Sequence, residues 1–207
     1  MSRMARVVLP DVPLHVVHRG NHSAPVFLDD ADRASYLENL AVACGKYQLE
    51  LWAYCLMTNH VHLVVLPHER RALARVIGVA HQRHAARLNR RAERTGHLWQ
   101  SRYFSTLLDE HHLWAAVRYI ERNPVRAGLV AKAELYPWSS ARAHCLGRAN
   151  PFLSPSRPFP GPVENWATWL EQDRGDVMPV TVLRQNSRTG WPTGSTEFVT
   201  RVADQQP

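Results

Sequence analysis

Residues 12–19 put β-branched and apolar side chains in a short run that ends at Gly20-Asn21, a pattern that predicts a first strand running into a loop. Asp29 to Asp32 supply capping carboxylates for a helix that carries Tyr36, Leu37, Leu40, Ala41 and Cys44 at helical spacing and stops at Gly45. A second strand is expected over about Glu50 to Met57, a tight connection at Thr58-Asn59, and a third strand from His60 to Leu66, closed by Pro67. From Arg70 to about Arg94 the period returns to that of a helix: Leu73, Val76, Ile77, Ala80, His84 and Leu88 share one side and arginines fill much of the rest. Thr95-Gly96 breaks it. His97 to Leu107 then reads as a short loop and a fourth strand. Asp109 caps a helix from Glu110 to Asn123, whose end is set by Pro124, because the residue before a proline is pushed out of the helical region.

That order of elements predicts an α+β fold of the split β-α-β (ferredoxin/RRM-like) type, an antiparallel sheet with helices against it. After about Gly147 the composition changes, and eight of the fourteen prolines lie beyond residue 150. The expected division is a body over 1–147 and, over 148–207, a Pro-rich linker followed by a small C-terminal module. A short helix is expected near Glu164 to Gln172, and the module itself from about Met178 to Asp204.

Composition narrows the class of protein. A chain of 207 residues is long enough for one full core with an appendage. No apolar run approaches the roughly 20 residues needed to cross a bilayer, and the first residues lead into no signal-peptide stretch, so a cytoplasmic protein is expected. Cys44, Cys55 and Cys145 are odd in number and far apart, which excludes a disulfide framework or a Cys-x-x-Cys zinc site. The formal net charge of +7, carried almost entirely by arginine, favours an anionic partner, and nucleic acid is the natural candidate.

Two short patterns carry chemistry. In Asn59-His60-Val61-His62, strand alternation puts His60 and His62 on one face, roughly 7 Å apart along the chain, so both imidazoles can reach one metal ion. A pair of hydrogen-bonded histidines is the other reading of an isolated His-x-His. Tyr119 and Asn123 lie four apart on a helix, with the small Ala115 and Ala116 one turn before the tyrosine, so a nucleic-acid strand could approach its hydroxyl. A phenol with a pKa near 10 needs a positive centre or a base to act as a nucleophile, and an amphipathic core tyrosine is the alternative. An arginine stripe, Arg83, Arg87, Arg90, Arg91 and Arg94, could track a phosphate backbone or be a solvated helix face. Trp99, Arg102, Tyr103 and Arg126 add stacking and phosphate contacts suited to unpaired bases, with buried packing the competing account of Trp99 and Phe104.

Four segments together resemble a known family: Ala53-Tyr54-Cys55-Leu56-Met57-Thr58-Asn59-His60-Val61-His62-Leu63-Val64-Val65, Leu98-Trp99-Gln100-Ser101-Arg102-Tyr103-Phe104, Arg118-Tyr119-Ile120-Glu121-Arg122-Asn123-Pro124-Val125-Arg126-Ala127-Gly128-Leu129-Val130, and Tyr136-Pro137-Trp138-Ser139-Ser140. Over about residues 5–145, including Arg19-Gly20-Asn21 and Phe27, the chain resembles the REP-associated tyrosine transposases of the HUH endonuclease superfamily. The resemblance implies a metal-dependent nicking and joining enzyme for single-stranded or hairpin DNA. In that family a tyrosine, here Tyr119, attacks a phosphate and leaves a 5′-phosphotyrosine and a free 3′-hydroxyl. It also implies His60 and His62 as ligands of Mg²⁺ or Mn²⁺, Asn123 at the position of a third, amide ligand, and Arg19, Asn21 and His22 of the early loop as candidates for base contacts. Either a monomer or a homodimer is compatible with it. Two other functions explain part of the pattern: a nucleic-acid-binding module without chemistry, and a metal phosphodiesterase that uses water. The segment from Arg188 to Phe198 departs from a Thr-Gly-Arg-Pro-Leu-Gly stretch of some members, with Trp191 and Thr193 in place of Arg and Leu.

Overall fold

The computed structural model describes residues 7–155, 165–172 and 180–205. Four strands, β1 (Leu14–Arg19), β2 (Leu49–Met57), β3 (His60–Pro67) and β4 (Phe104–Leu107), form one sheet in the order β2-β3-β1-β4. Every neighbouring pair is antiparallel, so β1 and β2 run the same way with β3 between them. This is the split β-α-β arrangement expected from the sequence. The crossover from β1 to β2 is α1 (Asp30–Lys46), and that from β3 to β4 is α2 (Ala72–Arg91).

Strand alternation divides the sheet into two unlike faces. Leu14 and Val16, Tyr54 and Leu56, and Val61, Leu63 and Val65 point to one side. There they meet Tyr36, Leu37 and Leu40 of α1 and Leu73, Val76, Ile77 and Leu88 of α2 in the larger core. Ala53, Cys55, Met57 and Val64 point to the other side, against Ala116, Val117, Tyr119 and Ile120 of α3 (Glu110–Glu121). Asp29 caps α1 by accepting from the Asp32 amide, and Asp109 caps α3 by accepting from that of His112, as their positions in the sequence suggest.

The helix expected to run to Asn123 stops at Glu121. Arg122 is the hinge residue, and α4 (Asn123–Arg126) restarts the chain with Pro124 in its first turn, where a missing N–H costs nothing. Gly20 ends β1 beside the 3-10 turn Asn21–Ser23; a Cβ there would lie 2.2 Å from the Ala24 carbonyl oxygen, so the early loop folds back only because this residue has none.

The later helices α5 (Ala141–Leu146), α6 (Trp166–Glu171), α7 (Val180–Thr189) and α8 (Thr196–Asp204) pack on this body. Leu183 of α7 is fully buried in the α3 core, while Phe198 and Val202 of α8 are buried in the larger one. Thr193 pairs with Leu108 just past β4, and the Thr106 hydroxyl bonds the Trp191 carbonyl oxygen at 2.6 Å and Thr193 Oγ1 at 2.9 Å. The expected linker falls partly outside the described residues. No helix among the described residues is long and apolar enough to cross a membrane.

Candidate active site

The α3 side of the sheet opens into a cleft of about 630 Å³ lined by strand residues His15, Val17, Arg19, His60, His62 and Phe104. Tyr119, Asn123, Ser23, Gln100 and Ser187 complete its walls. The pairing register explains the strand set: Arg19 lies opposite His60 and Val17 opposite His62, and alternation brings His15 to the same face. Thus His60, His62, Tyr119 and Asn123, which are distant in sequence as two pairs, share one cleft.

The histidine rings are close. His60 and His62 have centroids 4.9 Å apart at 80°, and the Tyr119 ring meets His62 edge-on at 5.5 Å. His60 Nδ1 bonds Asn59 Oδ1 at 2.6 Å; since an amide oxygen only accepts, His60 carries its proton on Nδ1. The Asn59 amide nitrogen in turn donates to the Ser23 carbonyl oxygen, tying the early loop to this histidine. His62 Nδ1 lies 3.0 Å from His15 Nε2, and His15 Nδ1 lies 3.1 Å from Ser187 Oγ of α7. With both Nδ1 atoms engaged, Nε2 is the nitrogen that either cleft histidine would present to a metal. Burial, then the neighbouring His15 and His60 and the Arg126 and Arg19 guanidiniums, hold His62 well below the usual histidine range. Burial alone lowers His15 to about 3. Both are therefore neutral near pH 7, the state a metal ligand requires.

Among the described residues no group of three or more His, Cys, Asp or Glu could hold a metal ion. The donor set that fits one is two imidazoles and an amide. Asn123 is 8% exposed, and its buried Nδ2 has no hydrogen-bond partner. A half-turn of the amide exchanges nitrogen and oxygen at little steric cost and would place an oxygen donor there. Imidazole plus oxygen coordination suits Mn²⁺ and is compatible with Mg²⁺.

The Arg126 guanidinium sits 4.0 Å from the centroid of the Tyr119 ring, on an exposed side chain. Arg19 is half-buried in the cleft wall and Arg102 is exposed next to the Gln100 wall. Asn21 is half-buried in the early loop beside the cleft residue Ser23, with its backbone N–H on the Leu98 carbonyl. His22 is exposed.

The remaining expected contacts lie elsewhere. Arg83, Arg87, Arg90 and Arg91 belong to α2, which packs on the opposite face of the sheet, and Arg94 follows it. Arg87 and Arg91 reach the buried Asp32 at 3.4 and 3.3 Å, Arg91 also reaches Asp29 at 2.6 Å, and Arg83 donates to Asn39. Part of the stripe thus fastens α2 to α1. Arg83, Arg90, Arg91 and Arg94 are nonetheless exposed. The aromatic expectation needs correction. Trp99 is 8% and Tyr103 9% exposed, both in the larger core, and Trp99 stacks with His81 at 4.1 Å and His18 at 5.0 Å. Their burial favours the packing account for Trp99 and Tyr103, whereas Phe104, for which packing is the competing account, is the half-buried aromatic in the cleft wall.

Sequence reasoning missed His15, Gln100 and Ser187. A histidine at an alternate position of an apolar strand was a usable signal for His15. Nothing local marks Ser187, which reaches the cleft because α7 docks beside β4.

A family model described as "Transposase IS200 like" matches residues 9–123, more than half of the chain, from before β1 through Asn123. Among solved structures, a REP-associated tyrosine transposase bound to a REP hairpin superposes with a TM-score of 0.56 at 14% identity, covering 75% of this chain and 93% of that one. A putative transposase from Deinococcus radiodurans R1 gives a TM-score of 0.41 at 20% identity, covering 58% of this chain and 97% of that one. No functionally curated protein matches. The chain belongs to the IS200-like transposase family, enzymes that nick and join DNA.

Proposed function

We propose that this chain nicks and rejoins single-stranded DNA through a covalent 5′-phosphotyrosine on Tyr119, with His60, His62 and Asn123 holding a divalent metal, Mn²⁺ or Mg²⁺. The observation that carries the reading is the convergence of the His-x-His face of β3 with the Tyr119 to Asn123 turn in one cleft. When bound, the metal would polarise the scissile phosphate and offset the charge that develops on it.

Tyr119 Oη attacks phosphorus, the bond from phosphorus to the 3′-oxygen breaks, and the phenolic proton ends on that oxygen. Rejoining is the reverse, attack of a 3′-hydroxyl on the phosphotyrosine with return of the proton to Tyr119. One phosphodiester is exchanged for another at each step, so no external energy source is needed. Arg126 holds the Tyr119 ring from one side and supplies positive charge to the phosphate that approaches it. Arg19 and Arg102, on the wall and rim, bind the flanking backbone, while Asn21 and the exposed His22 are placed to meet bases. The exposed arginines of the α2 stripe would serve a duplex stem wrapped past the cleft.

The substrate we favour is a single-stranded hairpin. The transposase solved with a REP hairpin has this fold, and the net charge of +7 suits a folded phosphate backbone. The catalytic body is 1–147, followed over 148–207 by a Pro-rich linker and a small C-terminal module whose Ser187 lines the cleft. A monomer contains all the residues named.

Incubation with Mn²⁺ and labelled hairpin oligonucleotides from the flanks of the protein's own gene tests this reading. A denaturant-resistant adduct is expected from the wild type and none from Tyr119→Phe. Cleavage without an adduct would instead indicate a water-using phosphodiesterase, and binding without cleavage a recognition module.

A further inference from the structure

The reading of His60 and His62 as ligands leaves His15 unexplained. It is a polar ring, 1% exposed, at a strand position where an aliphatic side chain would pack without needing partners. Both of its nitrogens are engaged: Nε2 with His62 Nδ1 at 3.0 Å and Nδ1 with Ser187 Oγ at 3.1 Å. The two imidazoles are nearly parallel, at 6° and 5.2 Å between centroids, so the pair is held as a unit.

Between two ring nitrogens 3.0 Å apart one must carry the proton and the other the lone pair. If His62 Nδ1 donates, His15 Nε2 accepts, His15 Nδ1 donates to Ser187 Oγ, and the lone pair of His62 Nε2 is aimed away from His15. In the opposite direction His62 Nε2 is protonated and is no ligand. A metal-binding histidine is commonly oriented by just such a bond from its second nitrogen, and loss of that partner typically costs 10- to 100-fold in metal affinity. His60 has the counterpart in Asn59. We propose that His15 is a positioning residue for His62, holding it as the Nδ1–H tautomer in the orientation that binds metal, and that Ser187 of the C-terminal segment fixes His15 in that role. This rests on the metal reading of the cleft. It assigns the C-terminal segment a part in building the metal site.

Two measurements on the full chain test it. Long-range ¹H–¹⁵N spectra of the metal-free protein are expected to show His62 as the Nδ1–H tautomer, and a mixture of tautomers in His15→Leu. Titration with Mn²⁺ alone, followed by calorimetry, is expected to show a Kd raised about 10- to 100-fold in His15→Leu. His15→Gln, whose side-chain oxygen can accept the His62 proton, should recover most of that loss, and Ser187→Ala should weaken binding only a few-fold. The recovery separates positioning from general damage, and the wild-type spectrum stands even if His15→Leu fails to fold. His62 found as Nε2–H in the metal-free wild type, or a His15→Leu variant that binds Mn²⁺ as the wild type does, overturns the proposal. Mn²⁺ binding that His62→Ala leaves untouched overturns the metal reading itself, and this role with it.

Discussion

The single strand β1 feeds two histidine clusters, one on each face of the sheet, and their fates differ. His15 joins His60 and His62 in the cleft, beside Tyr119, Arg19 and Asn123. His18, three residues on and pointing the other way, joins His81, Tyr36 and Trp99 beneath α1 and α2. In the second cluster most polar atoms are paired inside the core, His84 Nδ1 being the buried exception: His18 Nδ1 lies 2.8 Å from His81 Nδ1, and His81 Nε2 lies 2.9 Å from the Tyr36 hydroxyl. His84 Nε2 donates to the Val26 carbonyl at 2.6 Å. Histidine clustering alone therefore makes no site. Each cluster holds a partnerless buried nitrogen, Asn123 Nδ2 in the cleft and His84 Nδ1 in the core, but only the cleft adds an opening and a candidate nucleophile; the sealed cluster has neither and reads as packing.

This contrast can be broken by substitution on either side. The largest expected effect is that of His62→Ala: Mn²⁺ binding and nicking per folded molecule should both fall more than about 100-fold, beyond the loss of an orienting partner. Metal titration beside a chemical melt checks it, and retained binding would dissolve the distinction between the clusters. His81→Ala should do the reverse. It removes a ring stacked on Trp99 and strands the Tyr36 hydroxyl and His18, for a destabilisation of about 2–4 kcal/mol, with nicking per folded molecule preserved.

Acid should find the sealed cluster too. Burial is the leading cause that holds His81 and His84 below the ordinary histidine value; for His81 the neighbouring His18 and His84 lower it further by charge repulsion on protonation. The unfolded chain therefore binds more protons than the folded one below about pH 6.5. Stability is then fully present above that value and declines as the pH falls through it towards the depressed folded values. Urea melts from pH 7.5 to 5 should show this, with a shallower decline in His81→Leu.

Smaller effects should grade by distance from the cleft. Arg126→Ala removes the guanidinium over the Tyr119 ring, and nicking should fall on the order of 10-fold with the melt unchanged, because the side chain is exposed. Arg90→Ala, on the exposed part of α2, should change hairpin affinity about two-fold and reduce its salt dependence by at most one phosphate contact. A larger loss at Arg90 than at Arg126 would place the DNA on the α2 side.

How much was legible follows from the range of each interaction. The strands and helices of the body were readable because apolar period and capping are local, and Asp29, Asp109 and Pro124 mark ends within a turn or two. His60 and His62 share a face by alternation alone, and Tyr119 and Asn123 are neighbours by helical spacing even though the helix breaks between them. Solvent exposure is not local. Trp99 and Phe104 are both aromatic and close in sequence, and only the packing of α2 decided that the first is buried while the second lines the cleft.

By itself the sequence determined which residues can do chemistry and which elements carry them, since strand and helix periods follow from backbone geometry. Tertiary structure decided which of those residues meet. The antiparallel register of β1 on β3 set His15 beside His62, the docking of α7 beside β4 brought Ser187 to His15, and the buried Asp32 drew Arg87 and Arg91 into the contact between α1 and α2. Each of these depends on chain segments tens of residues apart arriving at one place, and that is fixed by the packing of the whole core, which no window along the sequence contains.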